Sequence, residues 1–454
     1  MNKKQLIRFC LKNEVEVLNF HYCGFDGRLK TLNFALRDKA HLVELLEAGE
    51  RVDGSSLFPF IEAGRSDLYV VPRYETAFLN PLEDVPTVDV LCTFFDRDGK
   101  PYDAAPQQVL HRAAEAFRKV AGMEMYAMGE LEYYAIGDEE PLFPVADQKG
   151  YHESKPYNKF ADMRIDAMLA LTQAGCSIKY GHSEVGNFTE DGRIYEQNEI
   201  EFTPVPVEQA ADQLVLAQWM MKQIAYSYGI DISFAPKLKT GKAGSGLHVH
   251  MKFERAGRNM LVTDGEITPT ARKAIAGLMD LGTSLPAWGN PSTDSFRRLV
   301  PHQEAPTSLC WSFSNRSALV RVPLGWNFRA DMAAQCNPGQ KSRCKDYSCK
   351  QTFEWRASDA TADIYLLMSA LCVAARHGLE MEGALELAEK TYVGLGVNIH
   401  DASNAALMES LRQLPASTAG AAERLAADRA VYEAYGVFPA SLVDYQINYL
   451  TSLK

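Results

Sequence analysis

Two acidic side chains lie two residues apart in the segment MGELEYYAI, residues 128–136. Its alternating pattern is typical of a β-strand, in which alternate side chains share a face. Glu130 and Glu132 would therefore project to the same side as Met128 and Tyr134. Two carboxylates placed so closely repel each other unless a cation lies between them. Taken alone, the pair is explained more simply as a solvated strand face.

Further acids and histidines occur in segments with the same strand-like character. GHSEVGNFTEDGRIYEQNEIEF contains Glu184 and Glu199, GLHVHMKF places His248 and His250 on one face, and TFEWR contains Glu354. Carboxylates combined with an imidazole suit Mg²⁺ or Mn²⁺. Several acids around a pair of divalent cations are typical of phosphoryl transfer. Each histidine taken singly is more commonly a hydrogen-bonded core residue.

Arginines are concentrated later in the chain. DSFRRLVPHQEAP contains Arg297 and Arg298, NRSALVRVP contains Arg316 and Arg321, and FEWR ends in Arg356. A guanidinium group binds carboxylate and phosphate through paired hydrogen bonds. Arg321 lies between two valines, where a charge is costly without an acidic partner. The sequence leaves open whether that partner is an anionic substrate or one of the glutamates.

Composition limits the class of protein. The 454 residues, 46% hydrophobic and 23% charged, are typical of a globular chain long enough for more than one domain. A net charge of -11 argues against nucleic acid as a general partner. The longest apolar run, IYLLMSALCVAA from Ile364, is too short to cross a bilayer and predicts a buried helix. The N-terminal segment has no signal-peptide core, so we expect a cytoplasmic protein without a membrane span.

Nine cysteines are mostly scattered singly through the chain, which suits a reducing compartment. Cys336, Cys344 and Cys349 lie close together but contain no CxxC pair. Free thiols in a loop are therefore favoured there over a structural zinc site.

Turn signals divide the chain into two parts. Asp26-Gly27 between two alternating runs predicts a β-hairpin, and DLYVVP and VDVLCTFF predict further strands. Glycine and proline in DRDGKPYDAAPQQ interrupt this pattern before an amphipathic helix begins. We place a domain boundary near residue 105, with an N-terminal domain over residues 1–105 and an α+β catalytic domain over residues 106–454.

The second part alternates strands with helices. Three helices are predicted, within FADMRIDAMLALTQAG, VEQAADQLVLAQWMMKQIAYSYG and TARKAIAGLMDLG. The sequence contains neither a GxxxxGK[ST] loop nor a GxGxxG turn after a strand. If the protein uses ATP, a different architecture must bind it.

Seven segments occur in the order that they have in one enzyme family: VDGSSLFPFIEAGRSDLYVVP, GELEYY, SEV with QNEIEF, GSGLHVHM, NPSTDSFRRLVPHQEAP, NRSALVRVP and FEWRASDATADIYLLMSAL. The chain resembles the glutamine synthetase family, and the bacterial type I enzymes most closely. The resemblance implies an α+β fold with a small N-terminal β-grasp domain and a large glutamine synthetase/guanido kinase-like catalytic domain, whose curved antiparallel sheet lines a funnel. It also implies hexameric rings, usually stacked as dodecamers, in which a neighbour's N-terminal domain completes each site.

The resemblance further implies a reaction that joins an acid to an amine at the expense of ATP, with two or more Mg²⁺ or Mn²⁺ ions per site. Ligands of one ion are matched by Glu132, Glu184 and Glu199, and ligands of the other by Glu130, His248 and Glu354. Asp53 matches the residue that deprotonates ammonium, with Ser56, Tyr151 and Glu184 in the same cation pocket. Arg298, Arg316, Arg356 and Gly244 match residues that bind the acid or the transferring phosphoryl group. His250 and Arg321 match contacts to ATP, and Glu304 matches a flap residue that closes over the acyl phosphate.

Several positions depart from the family pattern. Ala243 stands where an asparagine usually holds the backbone end of glutamate, Lys252 replaces a serine, Thr352 replaces an arginine, and ADIYL replaces ANPYL. Extra chain lies between Arg321 and Glu354. It would supply phosphate contacts from Arg343 or Lys345, reshape the acceptor pocket, or form a surface insertion.

Three functions are therefore compatible with the sequence. We predict first a ligase that makes glutamine from glutamate and ammonia through γ-glutamyl phosphate. The second is a relative that joins glutamate, or a related acid, to a larger amine such as an alkylamine or polyamine, which Ala243 and the extra chain favour. The third is a non-catalytic, ring-forming scaffold or sensor, against which the complete set of metal ligands argues.

Overall fold

The computed structural model describes residues 1–61, 64, 66–300, 305–325, 331–339, 347–397, 399 and 401–453. Glu304, Arg343, Cys344 and Lys345 lie outside the described residues, so the expectations for them stay predictions. Cys336 and Cys349 are exposed free thiols.

The N-terminal part is a six-stranded sheet with two helices. Its elements are α1 (Lys3–Lys12), β1 (Val17–Cys23), β2 (Leu29–Ala35), α2 (Lys39–Ala48), β3 (Glu50–Asp53), β4 (Asp67–Pro72), β5 (Phe78–Leu79) and β6 (Thr87–Phe95). The strand order is β2-β1-β6-β4-β3, with β5 also paired to β6. The hairpin predicted at Asp26-Gly27 is confirmed as the turn between β1 and β2, where Gly27 has a φ of 68°. Such a left-handed conformation favours glycine.

The second part contains one large sheet surrounded by helices. Its elements are α3 (Pro106–Ala121), β7 (Glu124–Asp138), α4 (Ala161–Gln173), β8 (Ile178–Glu190), β9 (Arg193–Phe202), β10 (Val205–Pro206), α5 (Val207–Ser227), β11 (Asp231–Ser233), β12 (Leu247–Arg255), β13 (Arg258–Asn259), β14 (Val262–Thr263), β15 (Glu266–Ile267), α6 (Pro269–Asp280), α7 (Pro286–Gly289), α8 (Thr293–Arg298), β16 (Trp311–Phe313), β17 (Val320–Val322), α9 (Met332–Cys336), β18 (Phe353–Trp355), α10 (Ile364–Glu380), α11 (Ala384–Lys390), α12 (Ala405–Ser410), α13 (Thr418–Glu433) and α14 (Ala440–Ser452). The boundary placed near residue 105 immediately precedes α3 and stays a prediction.

The large sheet separates a hydrophobic core from a polar face. Its strand order is β16-β17-β18-β12-β7-β9-β8, and the pairs along it are antiparallel except β16 with β17. On β12, Leu247, Val249 and Met251 are buried in the core. The intervening His248 and His250 therefore point to the opposite face. The alternation predicted from the sequence thus places the imidazoles on the face that also receives the acids of β7.

Helix α10 is the predicted buried helix, and it packs against α3 and α6 behind the sheet. No single helix in the described parts of the chain is long and apolar enough to span a membrane. Helices α10 and α11 pass that test only when joined, and they are bent by 111° relative to each other.

Two glycines allow α6 and α10 to approach closely. A Cβ atom on Gly277 would lie 2.0 Å from the backbone oxygen of Ala374 and 2.5 Å from the backbone nitrogen of Gly378. We expect Gly277→Ala to lower the free energy of unfolding by about 1–3 kcal/mol, because the helices must separate. Denaturant unfolding measures the change. Gly420→Ala on α13 is the control, because its Cβ would have only ordinary contacts and alanine favours a helix. Equal stability of the two variants would contradict the close crossing.

Candidate active site

One row of ionisable side chains crosses the polar face on three strands. Glu132 of β7 lies directly opposite Glu199 of β9, and Glu199 lies opposite His182 of β8. The His182 Nε2 atom is 3.2 Å from Glu199 Oε1, and its Nδ1 atom is 3.8 Å from Glu184 Oε1. Ligand atoms of His182, Glu184 and Glu199 all lie within 4.8 Å of one another. This group has the donor types and the spacing that suit a divalent cation.

A second group lies along the same face. His250 Nε2 is 2.8 Å from Glu130 Oε1 and 2.8 Å from Glu354 Oε2. His248 Nδ1 is 2.9 Å from the other oxygen of Glu130. The ligand atoms of Glu130, His250 and Glu354 again lie within 4.8 Å of one another. The six residues that match metal ligands therefore converge on the same face of one sheet.

Arginines pair with the second group. Arg321 lies opposite Glu354 on neighbouring strands, and its Nη2 atom is 2.7 Å from Glu354 Oε2. Arg356 Nη1 is 2.6 Å from Glu354 Oε1. Arg298 Nη2 is 3.3 Å from His248 Nε2. The ion pair between Arg321 and a glutamate is one of the two alternatives that the sequence left open.

A cavity of about 910 Å³ brings most of these residues together. The predicted site residues that line it are Glu130, Glu132, Tyr151, Glu184, Glu199, Gly244, His248, Arg298, Arg316, Arg321 and Arg356. His250 and Glu354 are buried next to Glu130. The acids and the guanidinium groups thus face one another across a space large enough for small-molecule substrates.

Two family descriptions match nearly the whole chain. The glutamine synthetase catalytic domain matches residues 103–449, and the glutamine synthetase β-grasp domain matches residues 14–97. The chain belongs to the glutamine synthetase family. The fold class and the prediction of a ligase are therefore confirmed.

Individual relatives agree with this assignment. Glutamine synthetase of Thermotoga maritima is 27% identical over 446 residues, which are 96% of this chain and 92% of the relative. That of Clostridium saccharobutylicum is 32% identical over 329 residues, covering 71% and 72%. Among solved structures, Plasmodium falciparum glutamine synthetase matches with a TM-score of 0.79 at 18% identity, covering 99% and 95% of the two chains. A structure of GmaS in complex with ADP matches with a TM-score of 0.78 at 18% identity, covering 98% and 95%. The two structures support the fold.

The site of this glutamine synthetase family member concentrates negative charge. Burial, followed by the charges of Glu130, Glu132 and Glu184, holds the pKa of Glu199 well above its usual range. Burial alone would lower the pKa of His250, but the charges of Glu354 and Glu130 outweigh burial and raise it to about 9. A carboxyl group that resists ionisation, as that of Glu199 does, is stabilised in its charged form by a cation. The residues therefore fit the divalent metals that the family implies.

Asp53 and Ser56 lie outside the group of residues that line the large cavity. Asp53 is the last residue of β3. Its carboxylate accepts hydrogen bonds from Ser55 Oγ and Ser56 Oγ, each at 2.7 Å. These bonds lower the pKa of Asp53. Ser56 lines a separate cavity of about 390 Å³ next to Trp288 and Tyr445. A single chain does not bring Asp53 to the acids of the large cavity, so its contribution to a neighbouring site stays a prediction.

The sequence patterns did not identify His182 as a residue of the cavity, where it lies close to Glu184 and Glu199. The pattern H-S-E places His182 and Glu184 two residues apart on a strand, which was the same signal that identified Glu130 and Glu132. Its pairing with Glu199 was not visible, because β8 has an irregular register between Ser183 and Asn187. Such bulges direct side chains toward functional sites.

The backbone around Ala243 is held firmly at the cavity wall. Gln148 Oε1 accepts a hydrogen bond from the Ala243 backbone nitrogen at 2.7 Å, and Tyr134 donates to the Ala243 oxygen at 2.8 Å. Gln197 Nε2 donates to the Gly244 oxygen at 3.0 Å. Three hydrogen bonds therefore fix the position of this backbone, but the alanine side chain offers no donor to a bound acid.

Proposed function

We propose that this protein joins glutamate to ammonia at the expense of ATP, forming glutamine, ADP and phosphate through γ-glutamyl phosphate. The observation that carries the proposal is the single cavity shared by Glu130, Glu132, Glu199, Arg321 and Arg356. Paired acids suit metal-bound phosphates, and guanidinium groups suit the transferring phosphoryl group and the acid.

Two metal sites follow from this proposal. One ion would be held by Glu132, Glu184 and Glu199, and the other by Glu130, His248 and Glu354. Bound Mg²⁺ or Mn²⁺ ions would neutralise the phosphates of ATP and orient them.

Four arginines would bind the reacting groups, two of them at the transferring phosphoryl group and two at the acid substrate. Arg316 and Arg321 would contact the transferring phosphoryl group, and His250 would help Arg321 to bind ATP. Arg298 and Arg356, with the backbone of Gly244, would orient the acid substrate. Arg298 and Arg356 are only 4% and 2% exposed, so their charges act in a poorly hydrated environment. Electrostatic stabilisation is strong in such surroundings.

The second step would use a neighbouring subunit in a hexameric ring or a dodecamer in the cytoplasm. Asp53 of the neighbour would accept a proton from ammonium, in a pocket formed with Ser56, Tyr151 and Glu184. The serine bonds to Asp53 keep its carboxylate ionised and oriented. Glu304 would close over the acyl phosphate and exclude water.

A larger amine is the second candidate for the acceptor, because the side-chain rings of Tyr151, His152 and His182 form an open surface, here called the shelf, at one wall of the cavity. Tyr151 stacks on His152 with 4.1 Å between centroids, and His152 lies 4.3 Å from the ring of His182. Tyr151 is 49% exposed. Such a shelf is suited to the apolar body of an alkylamine or polyamine and to its cation.

Phosphate release in the presence of ATP and Mg²⁺ or Mn²⁺ separates the candidates. Glutamate would be tested with ammonia, methylamine, putrescine and spermidine, and a reaction without acid would measure background ATP hydrolysis. Turnover with glutamate and ammonia supports the first proposal. Turnover only with a larger amine supports the second. Release no faster than background with every pair contradicts both and favours a scaffold or sensor.

A further inference from the structure

The imidazole of His182 has a defined tautomer. Its Nδ1 atom is 3.0 Å from the backbone oxygen of Ser183. A carbonyl oxygen only accepts hydrogen bonds, so Nδ1 must carry a proton. In the neutral ring, the lone pair of His182 is therefore on Nε2.

That lone pair faces a carboxylate. Nε2 of His182 lies 3.2 Å from Glu199 Oε1, and the two residues are directly opposite each other on β8 and β9. Two acceptors at this distance repel unless a proton or a metal ion lies between them. A metal ion satisfies both atoms at once, and a ligand atom of Glu184 lies within 4.8 Å of those of His182 and Glu199.

We infer that His182 binds a metal ion directly through Nε2. This ion, called the first metal ion below, is the one proposed to be held by Glu132, Glu184 and Glu199. The inference rests on the proposed function, which places a metal ion at these glutamates, and adds a nitrogen ligand to a set that family resemblance makes entirely of carboxylates. Glu132 lies in the same row, and its Oε2 atom accepts a hydrogen bond from the Gly246 backbone nitrogen at 2.6 Å. That bond orients Glu132 beside the ion.

A nitrogen ligand changes metal preference. Mg²⁺ prefers oxygen ligands and gives up its water reluctantly, whereas Mn²⁺ binds imidazole more readily. The first metal site of this protein therefore selects Mn²⁺ over Mg²⁺ more strongly than a site built from three glutamates.

A purely structural role for His182 makes a different prediction. Its ring also contacts His152 at 4.3 Å and Tyr180 at 5.8 Å between centroids. If packing were its only role, loss of the ring would alter stability but not the relative affinity for the two metals.

Anomalous scattering from crystals of the wild-type protein with Mn²⁺ provides the direct test. We expect a peak at a bonding distance of about 2 Å from His182 Nε2. A peak bound by Glu184 and Glu199 but not by His182 overturns this inference and leaves the proposed function intact. Absence of any peak in the cavity contradicts both.

Titration with each metal gives a second test that does not depend on turnover. His182→Ala should weaken Mn²⁺ binding at one site by about 10–100-fold and Mg²⁺ binding by less. His152→Asn is the control, because it changes the neighbouring ring, and asparagine tolerates the positive φ of 58° at that position. Unchanged Mn²⁺/Mg²⁺ selectivity in folded His182→Ala overturns the inference. If that variant does not fold, the anomalous map on wild-type protein remains decisive.

Discussion

Replacing Glu132 by alanine is expected to lower turnover by roughly a thousandfold or more, because the proposed metal site loses one of its three carboxylates. The same change should leave the chain folded. Glu132 raises the pKa of Glu199 through like-charge repulsion, so its removal relieves an unfavourable interaction. A functional acid held at a cost to stability is a common compromise in active sites.

Phosphate release and thermal unfolding, each with and without Mn²⁺, would measure the two effects of Glu132→Ala. We expect a Tm without metal close to that of the wild type, because the relief of charge repulsion and the loss of the hydrogen bond from the Gly246 backbone nitrogen oppose each other, and a smaller increase in Tm on adding Mn²⁺. Glu124→Ala on the same strand is the matched control. Glu124 pairs with Arg118 at 2.7 Å on the surface, outside the residues that line the cavity, so its loss should change neither quantity. Normal turnover by Glu132→Ala would remove the metal assignment.

Local patterns predicted which residues share a face. The alternation in MGELEYYAI correctly placed Glu130 and Glu132 on one side of β7, and the apolar run from Ile364 correctly predicted the buried helix α10. Both features depend on side-chain period along one segment, which the sequence contains completely.

Pairing between distant strands could not be predicted in the same way. Strand β7 lies between β9 and β12 in the sheet, although β12 begins more than a hundred residues after Glu130. Which side chains meet depends on register, and a shift of one residue would reverse every face. The contact of His250 with both Glu130 and Glu354 is therefore a property of the assembled sheet.

Short strands are too brief for a pattern that predicts which side chains share a face. Glu354 lies on the three-residue strand β18, which is too short to show periodicity by itself. Family resemblance predicts that Glu354 is a metal ligand, but only the sheet shows that Arg321 and Arg356 contact its two oxygens.

Replacing Glu354 by glutamine is expected to destabilise the protein by about 3–5 kcal/mol at neutral pH, because buried guanidinium groups lose their counter-charge. Glu354 is 0% exposed, and Arg356 is 2% exposed. The shape of the side chain is retained, so the loss arises from charge. Denaturant unfolding in EDTA would measure it, and Glu124→Gln, which removes one charge of a surface pair, should change stability by less than about 1 kcal/mol.

The same variant should change how stability depends on pH. In the metal-free wild type, the charges of Glu354 and Glu130 overcome burial and raise the pKa of His250 to about 9. The stability contributed by its proton is therefore complete below the pKa of an unfolded histidine, about 6.5, and is lost as pH rises toward 9. We expect this contribution to be on the order of 3 kcal/mol. In Glu354→Gln only Glu130 still attracts that proton, so the decline should be smaller and should end at lower pH. Parallel curves for the variant and the wild type from pH 6 to 9.5 would show that Glu354 does not control the charge of His250.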